Sequence, residues 1–131
     1  MTVSIRNITF DCADPWALSE FWSQVTGWPR HPENVPTDEE VLLVAPQGAY
    51  PRLLFIRVPE AKTVKNRVHL DVQPDVSRDD QVAALLEMGA TLVEDHRQPD
   101  GGGWVWLADP EGNDFCVERS AAERAAMGSP A

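Results

Sequence analysis

Two stretches of the chain read as one structural unit written twice. Asn7-Ile8-Thr9-Phe10-Asp11 opens the first, which runs through an amphipathic segment to Gly27-Trp28. His69-Leu70-Asp71-Val72 opens the second, which runs through another to Gly89-Ala90. Asn7 falls on His69 and Gly27 on Gly89 at a single offset of 62 (69 minus 7; 89 minus 27). With 131 residues to spend, such a chain is constrained to two small, intimately joined modules. Two copies of a small sheet can join into one cupped surface, and the hollow between them is a natural place for a small molecule.

Local signals order the elements of each copy. Ile8, Phe10 and Cys12 alternate with Asn7, Thr9 and Asp11, the period of a strand with two unlike faces, over 3–12. Asp14-Pro15 starts a helix, Asp as cap and Pro at the first helical position. Ala17, Leu18, Phe21, Trp22 and Val25 recur at helical spacing, and Gly27 closes the helix. Pro29, Pro32 and Pro36 make 28–38 a loop or an irregular edge strand. Strands are expected over 41–45 and 53–58, about a turn-rich stretch.

In the second copy Val68, Leu70 and Val72 alternate with Arg67, His69 and Asp71. Ser77 or Asp75 caps a helix containing Val82, Leu85, Leu86 and Met88, ended by Gly89. Strands follow over 90–93, 104–107 and 115–118. Gly101-Gly102-Gly103 reads as a mobile lip, and Asp109-Pro110-Glu111-Gly112-Asn113 as a tight turn. Residues 1–119 are therefore expected to form a single domain of two repeats, about 3–60 and 65–119. The stretch 120–131 is a tail, either a short surface helix or disordered.

Composition excludes several functions. Apolar residues make up 43% of the chain, enough for an ordinary core, yet no apolar run approaches the roughly 20 residues of a membrane span. The start of the chain lacks the basic-then-apolar pattern of a signal peptide, so a cytoplasmic location is expected. Acidic residues number 21 against 11 basic ones, a net charge of −10. That field repels nucleic acid and anionic lipid and mildly favours neutral or cationic ligands. Cys12 and Cys116 are expected to stay reduced, and the absence of any CxxC or Cys/His cluster argues against a structural zinc site.

Asn7-Ile8-Thr9-Phe10-Asp11-Cys12-Ala13-Asp14-Pro15, the segment Arg67-Val68-His69-Leu70-Asp71-Val72, and above all the run from Trp104 through Asp109-Pro110-Glu111-Gly112-Asn113 to Cys116 carry a resemblance. The chain resembles the glyoxalase/bleomycin-resistance/dioxygenase proteins of the vicinal-oxygen-chelate superfamily, in their glyoxalase-like branch, over about residues 3–119. The resemblance implies an α+β fold: two βαβββ modules forming a cupped, half-barrel-like sheet with helices on the outside, often paired as a homodimer. Many such proteins bind a divalent metal and activate a substrate bearing adjacent oxygens, while others bind a drug without metal. The fold does not fix the activity.

Strand alternation assigns the inner face independently. One parity is apolar and is expected to pack under the helices: Ile8 and Phe10; Val68, Leu70 and Val72; Val105 and Leu107; Phe115 and Val117. The other lines the cup: Asn7, Thr9 and Asp11; Arg52, Leu54 and Ile56; Arg67, His69 and Asp71; Trp104 and Trp106; Cys116 and Glu118. A polar and aromatic face suits a ring-bearing or oxygen-rich ligand.

In metal-dependent relatives, the resemblance implies, ligands come from the first and last strands of each module. Here those positions hold Asn7, His69, Cys116 and one of Leu54 or Ile56. Only His69 is a good ligand as written, with Asn7 and Cys116 weak, so no cofactor is expected, a divalent metal being the alternative. Glu118, on the same face, could replace Cys116 as a metal ligand only through a bulge. His31 and His96 lie in or near loops, poorly placed to complete a site. Three readings compete. The first is a metal-free small-molecule binder using Asn7, Thr9, Leu54, Ile56, Arg67, His69, Trp104, Trp106, Cys116 and Glu118. The second is a metal-dependent glyoxalase, lyase or dioxygenase acting through His69, with Glu118 or Cys116 as further catalytic candidates. The third is a non-catalytic dimeric interaction domain.

Overall fold

A computed structural model describes residues 1–128. The chain forms two compact units, Met1–Lys62 and Thr63–Ala131. The expected tail residues 129–131 lie outside the described residues.

The first unit contains β1 (Asn7–Cys12), α1 (Pro15–Thr26), β2 (Glu40–Leu43) and β3 (Arg52–Arg57). Strand β3 is central, parallel to β1 and antiparallel to β2. Helix α1 begins where the sequence demands: the Asp14 carboxylate accepts the Ala17 amide at 3.1 Å and Pro15 occupies the first turn. It ends at Gly27, whose φ of +75° lets its N–H reach the Ser23 carbonyl at 2.8 Å. Leu18, Phe21 and Trp22 pack with Val41, Leu43, Leu53 and Phe55 as a buried core. Phe10 joins it through ring contacts to Trp22 and Phe55, with centroids 5.4 and 5.1 Å apart. The proline-rich stretch contributes one bridge, Arg30 to Leu43, in place of an edge strand.

The second unit contains β4 (Leu70–Val72), α2 (Arg78–Glu87), β5 (Thr91–Asp95), β6 (Val105–Ala108), β7 (Asp114–Val117) and α3 (Ala121–Ala126). Its four-stranded sheet runs β4-β7-β6-β5, with β4 and β7 parallel. Val105, Leu107, Phe115 and Val117 are fully buried, as are Val82 and Leu85 of α2. Ser77 is the helix cap, accepting the Asp80 amide at 3.1 Å.

One expectation on this sheet fails. The alternation from Arg67 does not continue as strand, and Val68 is 79% exposed where packing under a helix was expected. The cause is a clasp just upstream. The Asn66 amide donates to Asp114 Oδ2 at 2.9 Å, and Asn66 Oδ1 accepts the Asp114 amide at 3.2 Å. These bonds hold the approach to the sheet outside the ladder, so pairing begins at Leu70 opposite Phe115.

The turn at Asp109 forms as expected. The buried Asp109 carboxylate accepts the amides of Glu111 and Asn113, both at 2.9 Å. The glycine hairpin differs from a mobile lip. Arg78, 4% exposed, donates from Nη1 to the carbonyls of Gly102 and Gly103 at 3.1 and 2.9 Å. Gly103 has φ +85°, and a Cβ there would run into the His96 carbonyl. The tail also contributes: Glu123 Oε1 accepts the Ser120 amide within α3 and the Arg78 amide that begins α2, at 2.9 and 2.8 Å.

Candidate functional site

The second unit carries a cavity of about 440 Å³, within the usual range for small-molecule sites. Its walls come from the exposed parity of the sheet and from the hairpin arm. Parallel pairing sets Asp71 beside Cys116, and antiparallel pairing sets Trp106 on the other side of Cys116. His69, two residues before Asp71, joins the same face, and Glu118 follows Cys116. Glu94, His96, Trp104 and Lys65 complete the lining.

Each polar group is held in a defined way. His69 Nδ1 lies 3.3 Å from Asp71 Oδ1, leaving Nε2 as the other ring nitrogen. His96 Nε2 lies 2.7 Å from Glu94 Oε2, and its ring stacks on Trp104 with centroids 4.7 Å apart and an interplanar angle of 21°. Trp106 donates from Nε1 to Asp114 Oδ1 at 2.9 Å, which fixes the indole plane. The Lys65 ammonium stands 4.7 Å from the Trp106 ring centroid. Burial pushes the Cys116 thiol up, the negative charge of Asp71 adds to this, and Lys65 opposes it. The thiol is therefore protonated at neutral pH, a poor nucleophile and a poor ligand without a metal to displace the proton.

His69, Trp104, Trp106, Cys116 and Glu118 thus share one cavity. Arg67 is exposed on a bend and is not part of its lining, because the Asn66 clasp ends the strand before reaching it. Asn7, Thr9, Leu54 and Ile56 belong to the first unit. There Asn7 pairs with Arg52, Thr9 with Leu54 and Asp11 with Ile56, so all lie on one face of the first sheet. His31 also lies in the first unit, where its Nδ1 accepts the Glu33 amide at 3.2 Å.

Lys65, Glu94 and His96 are lining residues that sequence reasoning left out. His96 lies just past the end of a strand, near a loop as expected, yet lines the cavity. Strand β5 runs on to Asp95, and a register shift between Leu92 and Glu94 resets the parity so that Glu94 faces Trp106. Expecting that strand to end at 93 hid the pair. Glu118 lines the cavity on the parity expected of it; the pairing of β7 with β4 and β6 is regular, and Glu118 is not among the converging donors.

A model of the glyoxalase-like domain matches residues 7–118. The chain belongs to the glyoxalase-like domain family. Solved structures of the glyoxalase/bleomycin-resistance/dioxygenase superfamily share its fold. A glyoxalase/bleomycin resistance protein/dioxygenase family enzyme from Burkholderia phytofirmans aligns with a TM-score of 0.67 at 20% identity, covering 88% of this chain and 97% of that one. A fosfomycin resistance protein from Mesorhizobium loti aligns at 0.64 and 16% identity, covering 96% and 99%. A lactoylglutathione lyase from Agrobacterium tumefaciens aligns at 0.57 and 16% identity, covering 89% and 93%. No curated protein sequence matches the chain.

Of the four positions that the resemblance assigns to metal ligands, those in the first unit offer little. Leu54 and Ile56 have no donor atom. Asn7 Oδ1 already accepts Arg52 Nε at 3.1 Å. Within the second unit the two expected positions converge with a third: donor atoms of His69, Cys116 and Asp71 lie within 4.8 Å of one another.

Proposed function

We propose that this glyoxalase-like protein binds a ring-bearing small molecule in the cavity of its second module, without a conventional metal centre. The observation that supports this most is the pairing of two indoles with polar groups around about 440 Å³ of space, one of them, Trp104, 46% exposed. An exposed tryptophan stacked on a histidine at a cavity mouth is a ready surface for a flat ligand. His69 and Glu118 would orient the ligand by hydrogen bonds, while the protonated Cys116 adds a small apolar contact. A panel of aromatic compounds titrated into the protein should quench tryptophan emission, and the quench should survive a strong chelator. A response abolished by chelation and restored by a divalent metal contradicts the metal-free reading.

The converging trio favours a second reading, a metal-dependent lyase or dioxygenase acting through His69. Three donors with an open position are what a catalytic zinc-like ion needs, and a nitrogen–oxygen–sulfur set suits a borderline metal. Purification with stoichiometric metal that is lost in His69→Ala supports that reading. Metal content near zero after growth in metal-supplemented medium rejects it.

A further inference from the structure

The cavity already holds one cation, and the way it holds it identifies a class of ligand. Three lining residues are carboxylates, Asp71, Glu94 and Glu118, against the single ammonium of Lys65. Asp71 and Glu94 are each engaged by a histidine. Among the described residues, the Glu118 carboxylate forms no hydrogen bond or ion pair, and Lys65 forms no ion pair with any carboxylate. The lysine instead rests its Nζ over Trp106, 4.7 Å from the ring centroid. An ammonium on a flexible four-carbon stem can reach water easily, so its seat on an indole face marks a position of favourable potential.

Two features make that face a good seat. The Trp106 indole donates its N–H to Asp114, which fixes the plane and enriches the ring with electron density. Asp114 is itself locked by the Asn66 clasp, so the ring cannot turn away without breaking buried bonds. The surrounding carboxylates add negative potential in a partly enclosed space, where charge acts more strongly than in bulk water. Trp104, two residues before Trp106, and the His96 ring stacked on it offer a second flat surface in the lining.

We propose that the cavity selects a small organic cation carrying a flat ring, and that the Lys65 ammonium is a placeholder which the ligand's own charge displaces from the face of Trp106. This rests on the reading that the cavity binds a small molecule. The opposing possibility, that Lys65 is the counter-ion of an anionic ligand, gives the opposite sign on removing the lysine. In the first case Lys65→Met vacates a seat that the ligand wants, and in the second it removes the ligand's partner. Lys65 is exposed and outside the core, so the substitution leaves packing intact.

The test uses three two-ring probes of similar size, measured by calorimetry at pH 8: N-methylquinolinium (a fixed cation), quinoline (neutral at this pH) and naphthalene-2-sulfonate (an anion). Wild type should bind the cation tightest. Lys65→Met should tighten the cation by about threefold or more, the scale of one exposed cation–π contact. Glu118→Gln should weaken it by about threefold, and added salt should weaken it further. Equal binding of all three probes overturns the proposal while leaving small-molecule binding in place. Tightest binding of the anion, lost in Lys65→Met, overturns it in the same way. If no probe binds wild type or either variant, the small-molecule reading fails and this proposal fails with it.

Discussion

Cys116 shows how one residue's chemistry is set by its neighbours. Burial raises its thiol, Asp71 raises it further, and Lys65 pulls the other way. Only the thiolate reacts with alkylating agents. Iodoacetamide labelling of Cys116 should therefore rise at higher pH than for a cysteine in a free peptide. Asp71→Asn should move the profile to lower pH, and Lys65→Met to higher pH. Cys12 is 3% exposed, so the labelling reports on Cys116. A wild-type profile that coincides with the peptide's contradicts the account of the cavity's electrostatics. His69, Asp71 and Cys116 were legible as one sheet face from period-two alternation alone. His96 was not, because the register shift after Leu92 is a backbone event that single-strand periodicity cannot reveal.

At the scale of elements, the hairpin between β5 and β6 carries one wall of the site. It is pinned from outside the cavity by Arg78 on α2, a long-range bond that glycine-rich composition does not announce. Gly103 is the point where side-chain bulk is forbidden: its φ is positive and the His96 carbonyl occupies the space a Cβ needs. Gly103→Ala should destabilise the protein by on the order of 2 kcal/mol or more, read as a lower melting temperature. It should also loosen the His96–Trp104 stack, weakening ligand binding beyond the stability loss. Gly48→Ala provides the contrast: φ is also positive, but nothing stands within contact of the added methyl. A Gly103→Ala variant that melts like wild type contradicts the tight packing against His96.

The helices were the most legible elements. Asp14-Pro15 with Gly27, and Ser77 with Gly89, mark their ends by capping chemistry that acts locally. Strand beginnings were less so. Leu70 rather than Arg67 starts β4 because Asn66 bonds Asp114, 48 residues away. The tail was legible only as a short surface helix or a disordered stretch; that Glu123 caps α2 depends on a contact 45 residues distant in the chain.

At the scale of the whole molecule, the duplication set the architecture: each copy delivers a strand, a helix and a small sheet. The copies then diverge. Prolines reduce the first copy's edge to a single bridge, while the second closes a full four-stranded sheet. The aromatic and titratable residues described above gather in the second copy. A net charge of −10 agrees with a cavity richer in carboxylate than in ammonium. Among the described residues no helix is long and apolar enough to cross a membrane.

The central claim is that ligand recognition centres on the second module's indoles. The chain has five tryptophans, and Trp16, Trp22 and Trp28 all lie in the first unit, so five indole N–H signals in a nitrogen-edited proton spectrum separate the two copies. Titration with the tightest-binding compound of the aromatic panel should shift the Trp104 and Trp106 signals first and furthest, and Trp106→Leu should abolish the response of Trp104 at the same concentration. Shifts confined to Trp16, Trp22 and Trp28, with Trp104 and Trp106 unmoved at saturation, would contradict the account.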